Sequence, residues 1–187
     1  MAKAPRIGQV KSRLAKGIGL VSAWAFYRRT LFNTARTLKD PRWTCWLSVS
    51  PDRSHFHSRS WPCGWARIPQ GSGDLGDRML QPWLHLPPGP VVVIGADIPA
   101  ITPDHIAGAF TDLGKNDLVF GPATDGGYWL VGAKRRPHII NPFSNVRWST
   151  AHALDDTLAG TPNGAHIGFV ETLSDVDDVA DFKRGAL

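Results

Sequence analysis

The sequence holds only two cysteines, Cys45 and Cys63, and their spacing matches no metal or redox pattern. That excludes a disulfide framework and cysteine-held zinc, so both read as reduced thiols. No apolar run approaches the ~20 residues that span a bilayer. The first residues are basic, but no apolar segment of about 7–15 residues follows them, so no secretory leader is expected. The expected location is cytoplasmic, with no membrane partner. A GxxxxGK[ST] loop and a GxGxxG fingerprint are both missing, which argues against a P-loop and a dinucleotide site. Repeats at solenoid periods and low-complexity tracts are missing too. Acids are scarce at the start: residues 1–67 carry thirteen Lys/Arg against only Asp40 and Asp52.

The balance then reverses. The remaining 120 residues carry eight Lys/Arg and fourteen acids, so a net +5 is the sum of +11 and −6. Such asymmetry fits a polyanionic ligand on the basic part, or a solvated basic surface. With 42% hydrophobic residues among 187, the chain suffices for one domain, residues 1–187, with its own core.

Periodicity gives the elements. In "LVSAWAFYRRTLFNTARTL", Leu20, Trp24, Tyr27, Leu31, Ala35 and Leu38 step by three or four, which predicts an amphipathic helix. "TCWLSVS" alternates like a strand, residues 51–64 read as a loop, and "WARIPQ" as a short strand. "DLGDRMLQPWLHL" predicts a helix with Leu75, Met79 and Leu80 inward and Pro82 ending or kinking it. "PVVVIGADIPAIT" opens with four β-branched residues, a strand buried on both faces. Thr102 and Pro103 then start a helix with Ile106, Phe110 and Leu113 buried. "DLVFGPA" and "YWLVGA" are strands. Ser149 or Thr150 caps a helix carrying Ala151, Leu154 and Leu158. "HIGFVETL" is the last strand and "DVDDVADFK" the last helix. Strands alternating with helices predict an α/β sandwich with a largely parallel sheet. The eight tryptophans, irregularly spaced, are expected in the core.

Three segments carry charge where a buried sheet would expel it. Asp97 lies three residues past the valine strand, where open α/β sheets bind ligands. It can hold a hard cation through oxygen, or make an Asx turn before the next helix. Asp175 and Asp177 are two apart, so in extended chain they point the same way and suit a shared cation; the other reading is a helix start favoured by acids. In "GPATDGGYWLVG", Gly126 and Gly127 permit close backbone approach, with Asp125 beside them. The segment is a tight turn, or a floor for an acceptor formed by Gly126, Gly127 and Tyr128 with Asp125 as its polar hook. At the start, "KAPRIGQVKSRL" packs Lys3, Arg6, Gly8, Lys11 and Arg13 into a phosphate cradle, or simply a basic surface.

Together "KAPRIGQVKSRL", "QGSGDLGDRM", "GADIPAIT", "GPATDGGYWLVG", "RWST" and "DVDDVADF" resemble, in this order, the rSAM/selenodomain-associated transferase 1 family, whose members are described as glycosyltransferases. The resemblance spans nearly the whole chain. It implies the nucleotide-diphospho-sugar transferase (GT-A) fold, a Rossmann-like three-layer sandwich. That family is similar in turn to the phospholactate guanylyltransferases of deazaflavin-cofactor synthesis, which share a KxRL-type segment, an aspartate after a central strand, and a DxD ahead of the last helix. The resemblance implies that Lys11 and Arg13 bind nucleotide phosphates, and that Asp97, Asp175 and Asp177 hold Mg²⁺ or Mn²⁺. It also implies a strand before "KAPRIG". The chain has two residues there, so the first strand is expected to be missing, with the true start upstream.

The expected activity is a magnesium-dependent transfer from a nucleotide-activated substrate to a small acceptor, with Asp97 and Asp125 as catalytic residues. Nucleotidyl transfer from a nucleoside triphosphate, releasing pyrophosphate, is expected first, because the basic start offsets a triphosphate. Glycosyl transfer from a nucleotide sugar is the alternative. A non-catalytic nucleotide- or RNA-binding protein is the third reading, and three separated aspartates serve RNA poorly. Neither the oligomeric state nor a general base follows from the sequence.

Overall fold

The computed structural model describes residues 1–57 and 60–184. In chain order its elements are β1 (Ala2–Lys3), α1 (Ser12–Ile18), α2 (Leu20–Thr37), β2 (Trp46–Ser50), a 3₁₀ turn (Asp52–Phe56), β3 (Ala66–Pro69) and α3 (Leu75–His85). Then follow β4 (Val91–Ile94), α4 (Pro103–Leu113), β5 (Leu118–Pro122), β6 (Tyr128–Ala133), α5 (Ala153–Ala159), β7 (Ile167–Phe169) and α6 (Val179–Arg184). Two compact units emerge. Met1–Pro69, Ala96–Pro103 and Ser174–Leu187 form the first; Gln70–Gly95 and Asp104–Leu173 form the second. Among the described residues no helix is long and apolar enough to cross a membrane.

The first unit holds a parallel sheet in the order β1-β2-β3. The expected absence of a first strand is corrected here: Ala2 and Lys3 pair in parallel with Val49 and Ser50. Ala2, Ala4, Val10, Tyr27, Leu31, Leu47, Val49 and Trp61 form one buried cluster. Trp61 comes from the segment read as loop, and its indole Nε1 donates to the Ser54 carbonyl at 2.8 Å. The rest of the predicted loop is structured in part by the 3₁₀ turn; its residues 58 and 59 lie outside the described set. On α2 the buried face is Ala23, Tyr27, Thr30, Leu31, Thr34 and Ala35. Leu20, expected inward, is the first residue of α2 and is 55% exposed, while Ala23 is wholly buried.

The second unit holds a mixed sheet in the order β4-β6-β5-β7. β6 runs antiparallel to both β4 and β5, while β5 and β7 are parallel. The expected largely parallel arrangement therefore holds in the first unit and gives way in the second. Only residues 123–127 link β5 to β6, far fewer than the dozen or so a parallel crossover needs, so the pair closes as a hairpin. Leu118, Val119 and Phe120 are wholly buried on β5. β4 buries Val91 and Val93 and leaves Val92 and Ile94 half-buried, so only one of its faces is fully covered. α3 starts with a capping box, Asp74 and Asp77 each accepting the other's backbone N–H. It continues past Pro82 to His85, and Leu75, expected inward, is 43% exposed in its first turn. α4 begins at Pro103 as read, burying Ile106, Ala109 and Leu113, with Phe110 half-buried. α5 begins two residues late, after His152 and without a side-chain cap: Thr150 Oγ1 donates to the Arg147 carbonyl and accepts from the His152 N–H, closing a turn ahead of the helix. Three tryptophans, Trp61, Trp83 and Trp129, are buried and the other five are half-buried.

Candidate active site

Four side chains from three distant stretches of the first unit converge. One carboxylate oxygen each from Asp97, Asp175 and Asp177 lies within 4.8 Å of the others. The Lys11 ammonium donates to Asp97 Oδ2 at 2.6 Å and to Asp177 Oδ1 at 2.6 Å. Lys11 is 86 residues from the first and 166 from the second. Its side chain is 6% exposed, so this is a near-buried cation between two carboxylates. Arg13 stands at the rim, 3.6 Å from Asp177 Oδ2 and 70% exposed.

Local chemistry sets each position. Lys11 adopts φ 48, ψ 49, the left-handed region that a non-glycine residue rarely enters, immediately before α1. Leu14, wholly buried, anchors the turn that follows. The basic segment ahead is pinned from α2: Trp24 Nε1 donates to the Pro5 carbonyl at 2.8 Å, and the Tyr27 hydroxyl bridges the N–H and carbonyl of Lys3. Burial pushes the Tyr27 phenol pKa up, so it stays a neutral donor. Lys3, Arg6 and Gly8 are exposed on that segment, Gly8 with φ 76 in a turn.

The acidic strand divides its labour. Asp178 Oδ1 accepts from the N–H groups of Ala180 and Asp181, and Asp181 Oδ2 accepts from those of Asp177 and Asp178. This is a reciprocal cap on α6. Asp178 thus meets the helix N-terminus, and the Asp177 carboxylate faces Lys11. The Val176 N–H donates to the Asp97 carbonyl at 3.4 Å, tying the two acidic segments together.

Burial alone would lower the Lys11 pKa, but Asp97 and Asp177 outweigh it and the net shift is upward. Lys11 is therefore charged throughout the neutral range. The donor set is oxygen only and half-buried, which suits a hard divalent cation. That the cluster already holds a nearly buried ammonium shows how strongly it attracts positive charge.

The other predicted residues lie in the second unit. Asp125 Oδ1 accepts from the Gly127 N–H at 2.9 Å, so its carboxylate folds over its own turn. Gly126 has φ 86 and its carbonyl accepts from Leu154 N. Tyr128 Oη lies 3.4 Å from Thr157 Oγ1, and burial raises its pKa. The structure thus brings Lys11, Arg13, Asp97, Asp175 and Asp177 together in the first unit, and Asp125, Gly126, Gly127 and Tyr128 form a turn and strand start within the second. Sequence reasoning missed the ion pairs of Lys11, which no spacing announces. The Asp178–Asp181 cap, in contrast, was readable as an acid followed by another three residues on.

A family model described as "Uncharacterized protein conserved in bacteria (DUF2064)" matches residues 33–150, and the chain belongs to that family. Of the converging aspartates, Asp97 alone falls inside the matched stretch. No curated protein matches the sequence. Among solved structures, the chain is similar to a proposed nucleotide-diphospho-sugar transferase from Desulfovibrio desulfuricans G20, at 26% identity and TM-score 0.86. That match covers 97% of this chain and 81% of the other. Rv0371c from Mycobacterium tuberculosis H37Rv matches at 13% identity and TM-score 0.53, covering 98% and 92%, a likeness of fold alone. The chain has an α/β fold of the nucleotide-diphospho-sugar transferase type.

Proposed function

We propose that this protein is a divalent-cation-dependent transferase acting on a nucleotide-activated substrate. One observation carries the reading: Asp97, Asp175 and Asp177 converge beside Lys11 and Arg13. Carboxylates for a cation and basic groups for phosphates, in one place, fit a diphosphate ester better than any neutral ligand. The three aspartates would hold Mg²⁺ or Mn²⁺, which when bound neutralises charge on a departing diphosphate. Lys11 and Arg13 bind phosphate oxygens, and the exposed Lys3 and Arg6 raise the local concentration of anions. Such chemistry needs mainly positioning and charge stabilisation from the protein.

Similarity to the Desulfovibrio desulfuricans protein favours a nucleotide-diphospho-sugar as donor. The sugar C1–O bond to the β-phosphate breaks, the acceptor oxygen takes the sugar and releases its proton to solvent, and the nucleoside diphosphate leaves. The resemblance to glycosyltransferases of the rSAM/selenodomain-associated transferase 1 family agrees. A second reading, nucleotidyl transfer to a phosphate- or carboxylate-bearing acceptor, rests on the basic segment at residues 3–13. There the acceptor oxygen attacks the α-phosphate and pyrophosphate leaves. Asp125, spent on its own turn, is not assigned as the base. An RNA-binding role gains nothing from a carboxylate cluster.

The test is product analysis with Mg²⁺ and panels of nucleotide sugars and nucleoside triphosphates. Release of nucleoside diphosphate with a glycosylated product supports the first reading, and release of pyrophosphate the second. Asp97→Asn should lower either rate by on the order of 100-fold or more, as loss of a preorganised electrostatic contact does. Undiminished turnover in Asp97→Asn, or in excess chelator, rejects the proposal.

A further inference from the structure

We infer that Lys11 is a resident cation of the aspartate cluster and that it and a divalent ion exclude one another, so that phosphate must draw Lys11 away before metal binds tightly. The inference rests on the metal reading above and adds an order of events to it. The Lys11 ammonium already donates to an oxygen of Asp97 and an oxygen of Asp177, each at 2.6 Å. Those are two of the three acids that would hold the metal. A dication on the same oxygens would face the ammonium at close range, with a side chain only 6% exposed and little water to screen it. One of the two must leave.

The construction of the site says which can. The Lys11 backbone is held in the left-handed region at φ 48, next to α1 and its wholly buried Leu14. Its four-carbon stem is the movable part. Arg13 cannot take over the internal position, since it lies 3.6 Å from Asp177 and is 70% exposed. A phosphate offers the ammonium a second set of anionic oxygens and frees those of Asp97 and Asp177. Metal and phosphate should therefore bind with positive coupling, and by linkage each should raise the other's affinity equally.

Mn²⁺ alone provides the test, by electron paramagnetic resonance of the free ion titrated into the full chain without nucleotide. Lys11→Met should bind Mn²⁺ about tenfold more tightly than wild type, a typical coupling between two ligands. Asp97→Asn should abolish binding in both backgrounds. A second measurement uses the unmodified protein. Acetylation by an activated ester, read by mass spectrometry, should be slow at Lys11, and saturating Mg²⁺ should raise it several-fold relative to the exposed Lys16. Equal Mn²⁺ affinities in wild type and Lys11→Met, or Lys11 labelling unmoved by Mg²⁺, overturn the exclusion while leaving the metal reading intact. Absence of Mn²⁺ binding in both forms overturns the metal reading, and this inference with it.

Discussion

Lys11 and Gly126 are single residues whose backbone conformations matter more than their composition suggests. Both have positive φ, 48 and 86. At Gly126 glycine is required twice over. An added Cβ would run into the Ala151 carbonyl, which is backbone and cannot swing aside. Gly126→Ala should cost on the order of 2–3 kcal/mol, combining a left-handed alanine with overpacking. Urea denaturation measures it, and a loss below ~0.5 kcal/mol would show that the turn rearranges freely. At Lys11 the side chain itself is needed, so the backbone takes an uncommon conformation to deliver it. The sequence announces the first case, because a Gly-Gly pair after an aspartate marks a turn. It does not announce the second. Lysine carries no signal of positive φ, and its partners lie in stretches that only folding brings near.

Elements place these residues, and α6 shows how. The helix has six residues, too few to persist alone. It is held by its reciprocal Asp178–Asp181 cap, by Phe182 edge-on to Phe26 at 5.3 Å, and by Val179, which sits where any Cβ on Gly17 of α1 would go. Asp177 and Asp178 are therefore adjacent acids with different duties. Asp178→Ala should cost the helix ~1 kcal/mol, the usual value of an N-cap, and speed amide exchange across α6 about fivefold. Asp177→Asn should leave that exchange unchanged while loosening Lys11. If the two variants expose α6 equally, the division of labour is wrong. Much at this scale was legible. α2, β4, α4 and the final strand and helix follow from apolar period and from Pro103 at a helix start. What escaped is informative. The hairpin of β5 and β6 was implied by a five-residue link but hidden by the expectation of alternating strands and helices. The buried face of α2 keeps the expected Tyr27, Leu31 and Ala35 and adds Ala23, Thr30 and Thr34, which an apolar stripe does not mark.

For the whole molecule, the charge asymmetry visible along the chain becomes an asymmetry between its units. The first unit carries fifteen Lys/Arg and seven acids, the second six and nine. Five of those seven acids, Asp97, Asp175, Asp177, Asp178 and Asp181, belong to the cluster or to the cap beside it, so a small acidic centre sits in a strongly basic unit. The basic excess acts at long range and is open to salt; the Lys11 pairs act at contact and are shielded from it. Inorganic pyrophosphate with Mg²⁺ separates the two contributions. Between ~0.1 M and ~1 M NaCl the screening length shrinks from about 10 Å to about 3 Å, so affinity should fall on the order of tenfold. Replacing the exposed Arg6 and Arg13 by Gln should flatten that slope, because their share of the attraction is the part salt removes. Lys11→Met should lower affinity at both salt concentrations and leave the slope nearly unchanged, because its contribution is made out of reach of the counterions. Isothermal titration calorimetry across the salt series gives both quantities, and a slope that follows Lys11 rather than the two arginines would place the long-range attraction at the buried ammonium instead of the basic surface.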